Sequence, residues 1–183
     1  MTKQVLQRAT GALIVLGFFL QLTRPAAAQP SAQTVTAVPK FDLDHYLGVW
    51  YEIARFPNKV EKPCVSDGMV LYAAGDRPKR FQMVTSCLLK GANPEAWDAN
   101  GKLDQANDGQ LKITYIWPFS QKYWVLATGP ADEWALVGGP NHKSLWILSR
   151  THSLSPDLLG EIKQRAAAQG FDLGKLVTIP QTH

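Results

Sequence analysis

From residue 49 to residue 150, turn residues interrupt short apolar runs about every ten positions. This rhythm restricts the fold more than any other feature. Runs rich in branched and aromatic residues occupy 49–56, 66–73, 80–89, 110–117, 122–128, 133–138 and 144–150, with a weaker one at 95–103. Between them lie a polar, basic loop over 57–63 and the turn sequences Ala74-Gly75-Asp76-Arg77-Pro78, Asn107-Asp108-Gly109, Pro118-Phe119-Ser120-Gln121, Gly129-Pro130-Ala131-Asp132 and Gly139-Pro140-Asn141-His142. Asn100-Gly101 is expected to form a further tight turn. No connection between neighbouring runs is long enough for a crossover helix, so the strands are expected to pair antiparallel. About eight short strands in this arrangement make an up-and-down barrel or a sandwich.

One helix follows. Ser155 supplies an N-cap, Pro156 the first helical position and Asp157 a first-turn acid. Leu158, Leu159, Ile162 and Ala166 share a stripe that seeks a core, and Gly170 ends the helix. Phe171 and Leu173 are expected to fold back, and residues 176–179 to add a short last strand. A second, minor helical turn is expected before Gly48, capped by Asp42.

The N-terminus reads differently. Lys3 and Arg8 precede an apolar run of about a dozen residues, too short to span a bilayer. Ala26-Ala27-Ala28 then offers a cleavage site, so 1–28 is expected to be a signal peptide. An uncleaved anchor is the alternative. Residues 29–39 read as a polar, flexible leader, and 40–183 as the folded domain. The 183 residues include 19 Lys and Arg against 15 acidic residues, but Lys3, Arg8 and Arg24 leave with the signal peptide. The remainder is close to neutral, and no dense basic block suggests nucleic acid. With 45% hydrophobic residues it can build a real core.

Cys64 and Cys87 both lie in the exported part, on opposite strands of one predicted hairpin. A disulfide between them is expected, worth about 3 kcal/mol. A free Cys64 thiol near a barrel mouth would be the one candidate nucleophile. Two cysteines without a nearby His make a poor metal site, and no cofactor is indicated. His45, His142, His152 and His183 are scattered and form no argument for a catalytic triad.

Three segments carry a resemblance to a known family. They are 41–56 (FDLDHYLGVWYEIARF, with Gly48-Val49-Trp50), 123–140 (YWVLATGPADEWALVGGP) and 145–151 (LWILSRT, with Arg150). In this order and spacing, followed by a helix, they resemble the lipocalins, closest to the bacterial and apolipoprotein D branch. The resemblance covers residues 41–179. It implies an all-β fold: an eight-stranded antiparallel up-and-down barrel with one C-terminal helix packed outside. It also implies that Arg150 covers the Trp50 ring at the closed end, a structural signature shared with Gly48 rather than a catalytic site. Asp132-Glu133-Trp134 departs from the Thr-Asp-Tyr found in many members. The lack of a Cys near the cleavage site also departs from the lipid-anchored bacterial members.

The family implies an apolar small-molecule ligand, such as a fatty acid or lysophospholipid, held inside the barrel. Counting in twos from Trp50 turns Glu52, Ala54 and Phe56 inward, and counting back from Arg150 turns Leu148 and Trp146 inward. The family register adds Tyr123 and Val125. Met69 and Met83 are flexible thioethers suited to variable guests. These nine residues are the expected ligand site, unless the aromatics simply fill the barrel. The facing of Tyr115 and Trp117 is open. An inward Glu52 needs a partner, either a buried Arg or water, or else a polar group of the ligand. Arg55, Lys59, Lys62 and Lys90 are expected at the mouth, either for an anionic head group or as an ordinary solvated loop.

The expected role is an exported lipid carrier, in the periplasm of a Gram-negative bacterium or secreted, as monomer or homodimer. Membrane-surface contact is left open and nucleic acid is not expected. The alternatives are an enzyme using Cys64 on a lipid-like substrate, and an envelope interaction module docking through Trp97, Trp124 or Trp134.

Overall fold

A computed structural model describes residues 33–104 and 108–182. The signal-peptide expectation lies outside these residues, as does the start of the leader. Eight strands close into an antiparallel barrel: β1 (Gly48–Arg55), β2 (Cys64–Ala74), β3 (Arg80–Leu89), β4 (Asn93–Leu103), β5 (Gln110–Ile116), β6 (Phe119–Thr128), β7 (Trp134–Gly138) and β8 (Leu145–Ser149). Each pairs with the next, and β1 closes the ring by pairing with both β8 and β2. Helix α1 (Leu43–Tyr46) precedes the barrel, with the Asp42 carboxylate accepting from the Asp44 and His45 backbone N–H groups. Helix α2 (Pro156–Ala168) follows it, capped by Ser155 as its sequence predicts.

The antiparallel barrel appears because each run is joined to its neighbour by a short turn. Two apolar layers result. The barrel interior gathers Trp50, Val70, Tyr72, Phe81, Met83, Leu111, Ile113, Tyr123, Val125 and Leu148. The second layer lies between the barrel wall and α2 and holds Ile53, Ala54, Phe56, Leu136, Ile147, Ile162, Ala166 and Phe171. The helical stripe and the return of Phe171 are thus where the sequence puts them.

Three expectations fail. Asn100-Gly101 is no turn: it lies inside β4, opposite Gln82 and Phe81. The signal was misleading because Gly101 serves a close approach. A Cβ there would fall into the Phe81 ring. Gly101→Ala is therefore expected to lower stability by about 1–3 kcal/mol through overpacking, read from urea unfolding. An unchanged midpoint would show that the Phe81 ring moves freely.

The second failure concerns the leader. Residues 33–39 lie along the barrel rather than loose. Val35 is buried against α2, and Val38 exchanges backbone bonds with Val125 and Gly109. Two valines three residues apart are too sparse a pattern to read as core from sequence. The third is the alternation along β1. Its register on β8 shifts between Glu52 and Ala54, a β-bulge. An extra residue reverses which face every later side chain takes.

The C-terminus completes the wall. Strand β9 (Val177–Thr178) pairs with β1 at Ala54 and Arg55, beyond the point where β2 leaves it. Gln181 then bridges the two strands, its amide donating to the Glu52 and Gly68 carbonyls at 2.9 and 3.0 Å.

Candidate functional site: a cavity over a buried ion pair

The ends of the barrel differ. At the closed end, the Arg150 guanidinium lies 3.8 Å from the centre of the Trp50 ring. It donates to the carbonyls of Val49, His45, Tyr46 and Leu47 at 2.8 to 3.2 Å. The Trp50 indole N–H donates to the Tyr46 carbonyl at 2.8 Å. This end is sealed by α1 and carries structure, as the resemblance implies.

The other end holds a cavity of about 690 Å³. Met83, Ile113, Tyr115, Tyr123 and Trp146 form its wall, and Pro57, Lys59, Lys122, Pro140 and Lys143 its rim. The volume is within the ordinary range for small-molecule sites, about 300–1,000 Å³. Alternation on β5 turns Ile113 and Tyr115 inward, and alternation on β6 does the same for Tyr123. The Tyr123 and Trp146 rings meet at 5.2 Å. Deeper in, the hydroxyls of Tyr72 and Tyr123 are 2.7 Å apart. Burial raises the Tyr72 and Tyr123 phenols well above the usual range, and pushes the Tyr115 phenol up to about 12. All three are therefore neutral hydrogen-bonding groups at ordinary pH.

Below the cavity, a narrow cleft of about 10 Å³ reaches Glu52, Glu61 and Thr85. Only about one water-sized group fits there. Glu52, Arg55 and Glu61 are all nearly inaccessible. Arg55 Nε stands 3.5 Å from Glu52 Oε2 and 3.3 Å from Glu61 Oε2, while Nη2 donates to the Glu61 carbonyl at 2.8 Å. The Nε distances give charge attraction without a well-aligned hydrogen bond. Trp146 Nε1 donates to Glu61 Oε2 at 3.2 Å, and the Asn58 amide also donates to that oxygen. Gly68 makes room for Glu52, because a Cβ there would come within 2.7 Å of Oε2.

Burial, and then the hydrogen bond and charge of neighbouring Glu61, push the Glu52 carboxyl well above its usual range. Arg55 opposes this but does not outweigh it. The arrangement that follows is a neutral Glu52 beside an Arg55–Glu61 ion pair, forming a polar floor under an apolar cavity. The buried-Arg partner expected for Glu52 is present.

Of the nine expected site residues, Glu52, Met83, Tyr123 and Trp146 meet at the cavity or its floor. Val125 and Leu148 face the interior but are packed deeper, lining neither space. Ala54 and Phe56 are corrected: past the bulge they join the layer under α2. The same reversal turns Arg55 inward, away from the rim where it was expected. Met69 is also corrected. Val70 and Tyr72 face the interior, so Met69 lies on the outer surface beside Tyr51, Leu88 and His152. Every position of Met69-Val70-Leu71-Tyr72 is apolar, so alternation could not choose the face.

Lys62 and Lys90 do not border the cavity, whereas Lys122 and Lys143 do. The open facing of Tyr115 is resolved inward, and Ile113 and Glu61 are site residues that the sequence reading does not name. Alternation from Leu111 would have found Ile113 and the facing of Tyr115, but Glu61 lies in a loop with no period.

Cys64 and Cys87 form the expected disulfide, with Cα atoms 5.7 Å apart. No free thiol remains, which removes the nucleophile on which the Cys64 enzyme alternative rested. Among the described residues no group of three or more His, Cys, Asp or Glu gathers as a metal site would require. Trp134 is buried beneath α2 and so presents no docking surface.

A family model described as a lipocalin-like domain matches residues 41–181. The chain is similar to the outer membrane lipoprotein Blc of Citrobacter freundii, 35% identical over 153 residues that cover 80% of this chain and 83% of that protein. It is 28% identical to apolipoprotein D of Mus musculus, with 78% of each chain covered. Among solved structures, the cockroach allergen Per a 4 superimposes with a TM-score of 0.64 at 18% identity, covering 84% of this chain and 97% of that one. Lobster apocrustacyanin A1 gives 0.62 at 16% identity, covering 80% and 92%. These two likenesses establish the fold alone.

Proposed function

The chain belongs to the lipocalin family, and on that premise we propose that it is an exported carrier of single-tailed lipids. Lipocalins bind small hydrophobic ligands, and the proposal concerns which ligand and where. The observation that carries it is the cavity of about 690 Å³, with an apolar wall and a lysine-bearing rim. A fatty acid or lysophospholipid would lay its tail between Met83, Ile113, Tyr115 and Trp146. Its anionic head would stay near Lys59, Lys122 and Lys143. Each buried CH₂ contributes about 0.8 kcal/mol, so a long tail reaches micromolar affinity after association costs.

The polar floor supports this orientation. An anionic head at the bottom would face neutral Glu52 and the Glu61 carboxylate, whose cation is already paired. The tail is therefore the end that enters. The similarity to Blc proteins, named as outer membrane lipoproteins, supports a location in the cell envelope.

Titration with oleate, followed by Trp fluorescence, is expected to saturate in the micromolar range. Met83→Trp narrows the cavity and is expected to weaken oleate binding at least about tenfold, with the circular dichroism of the barrel retained. Undiminished binding in a folded Met83→Trp protein would place the ligand elsewhere and overturn the reading.

A further inference from the structure

The hairpin joining β5 to β6 ends in Ile116-Trp117-Pro118-Phe119. Ile116, Trp117 and Phe119 are 72%, 86% and 77% exposed, the three most exposed large apolar side chains among the described residues. None belongs to either apolar layer. Ile116 and Phe119 are the last cross-strand pair, with Trp117-Pro118 as the turn between them. Tight hairpin turns favour Asn, Asp or Gly, whose conformations suit them. Pro118 suits the turn, but neither the turn nor the core requires Ile116, Trp117 and Phe119 to be apolar. A cluster of this kind marks a surface that meets something apolar.

Its location identifies the partner. Strand directions put this tip at the cavity end, together with the β1–β2, β3–β4 and β7–β8 connections. Lys59 and Lys62, Lys90, and Lys143 stand in those three connections, all exposed, with Lys122 beside the tip. Glu61, the only acid in the four connections, is buried against Arg55, and the exposed Glu95 near the start of β4 still leaves the lysines in excess. The cavity end is thus a cationic face with an aromatic projection at its rim. A second copy of the chain docking tip to tip would bring two cationic faces together. An anionic lipid surface attracts the lysines and offers the aromatic residues an interfacial layer. Trp is well suited to that layer, with an apolar ring and a polar N–H.

We propose that Ile116, Trp117 and Phe119 insert into the headgroup boundary of an anionic bilayer, with the lysines of the same end over the headgroups. The cavity mouth then faces the membrane. The apolar tip is separate from the cavity, while the lysines belong to both, so variants of Trp117 and Phe119 test docking apart from ligand binding.

The test measures partition of the protein onto phosphatidylcholine vesicles with and without phosphatidylglycerol, by cosedimentation. Wild-type protein is expected to bind the phosphatidylglycerol vesicles preferentially, with blue-shifted Trp emission shielded from acrylamide. Trp117→Phe is expected to bind equally well but to lose that spectral component. W117S/F119S is expected to bind at least about tenfold more weakly, while its oleate titration stays unchanged. K59E/K143E is expected to lose the preference for phosphatidylglycerol. Equal partition of wild type and W117S/F119S would overturn the proposal. So would a concentration-dependent dimer broken by W117S/F119S with vesicle binding unaffected, because the tip would then be an interface between copies.

Discussion

Arg55→Met is expected to lower the stability of the folded barrel by about 3–5 kcal/mol, the usual cost of removing one member of a buried ion pair. The reason is local. Arg55 is the only cation placed between Glu52 and Glu61 in that buried group, at 3.5 and 3.3 Å. Without it, the Glu61 carboxylate has no cation beside it and keeps only neutral donors, from Trp146, Asn58 and the Glu52 carboxyl. The buried group then holds no cation to offset its acids. Chemical unfolding reads the loss directly. If Arg55→Met cost less than about 1 kcal/mol, the cluster would be far more hydrated than its burial indicates.

The same cluster gives stability a pH dependence of definite sign. Glu52 has a raised folded-state value, so on unfolding it releases its proton once pH exceeds the ordinary carboxylate range. Its contribution is flat below that range. Stability is then lost as pH rises towards the folded-state value, at no more than about 1.4 kcal/mol per pH unit for one proton. Glu52→Gln keeps the shape and the hydrogen-bonding capacity of a neutral group but cannot ionise. It is expected to flatten this decline and to be more stable than wild type at alkaline pH. A Glu52→Gln protein with the same slope would assign the proton to another group.

Arg150→Ala is expected to give the second large effect, a loss of about 2–4 kcal/mol of stability with oleate affinity unchanged. Its guanidinium covers the Trp50 ring and takes up carbonyls at the end of α1 and in the turn that follows. The last carbonyls of a helix have no partner within it. Stacking on the indole contributes about 0.5–2 kcal/mol, and charge-assisted hydrogen bonds add to it. Arg150→Lys is expected to restore only part of the loss, because an ammonium cannot stack flat and span several carbonyls together. The urea midpoint and the oleate titration, measured on the same preparations, separate a structural role from a ligand-binding one. A fall in affinity with no fall in stability would contradict the assignment.

Much of the site is legible from residues that have a fixed reference. Trp146 and Leu148 are read correctly from Arg150 because β8 runs without a bulge from Leu145 to Ser149 against β7. Glu52 is read correctly from Trp50 for the same reason, being the last paired residue before the shift. Ala54, Phe56 and Arg55 are misplaced together, and by one cause. A bulge leaves no composition signal in Glu52-Ile53-Ala54, yet it reverses every side chain beyond it. Met69 fails differently: both faces of β2 are apolar there, one towards the interior and one towards an outer groove.

The amino-acid order alone determined the number and succession of the principal strands, the capped helix, the hairpin that carries the disulfide, and the pairing of Trp50 with Arg150 through family resemblance. These rest on neighbours along the chain, where turn residues and periodicity act. Tertiary structure decided where the interior remains open, which carboxyl keeps its proton, and that the Trp117 hairpin stands on the lysine-bearing end. Each of these depends on strands closing into a ring, so that Arg55 meets Glu61 across a loop and Trp146 across the sheet. The energy of such a meeting depends on burial, which no local stretch of residues contains.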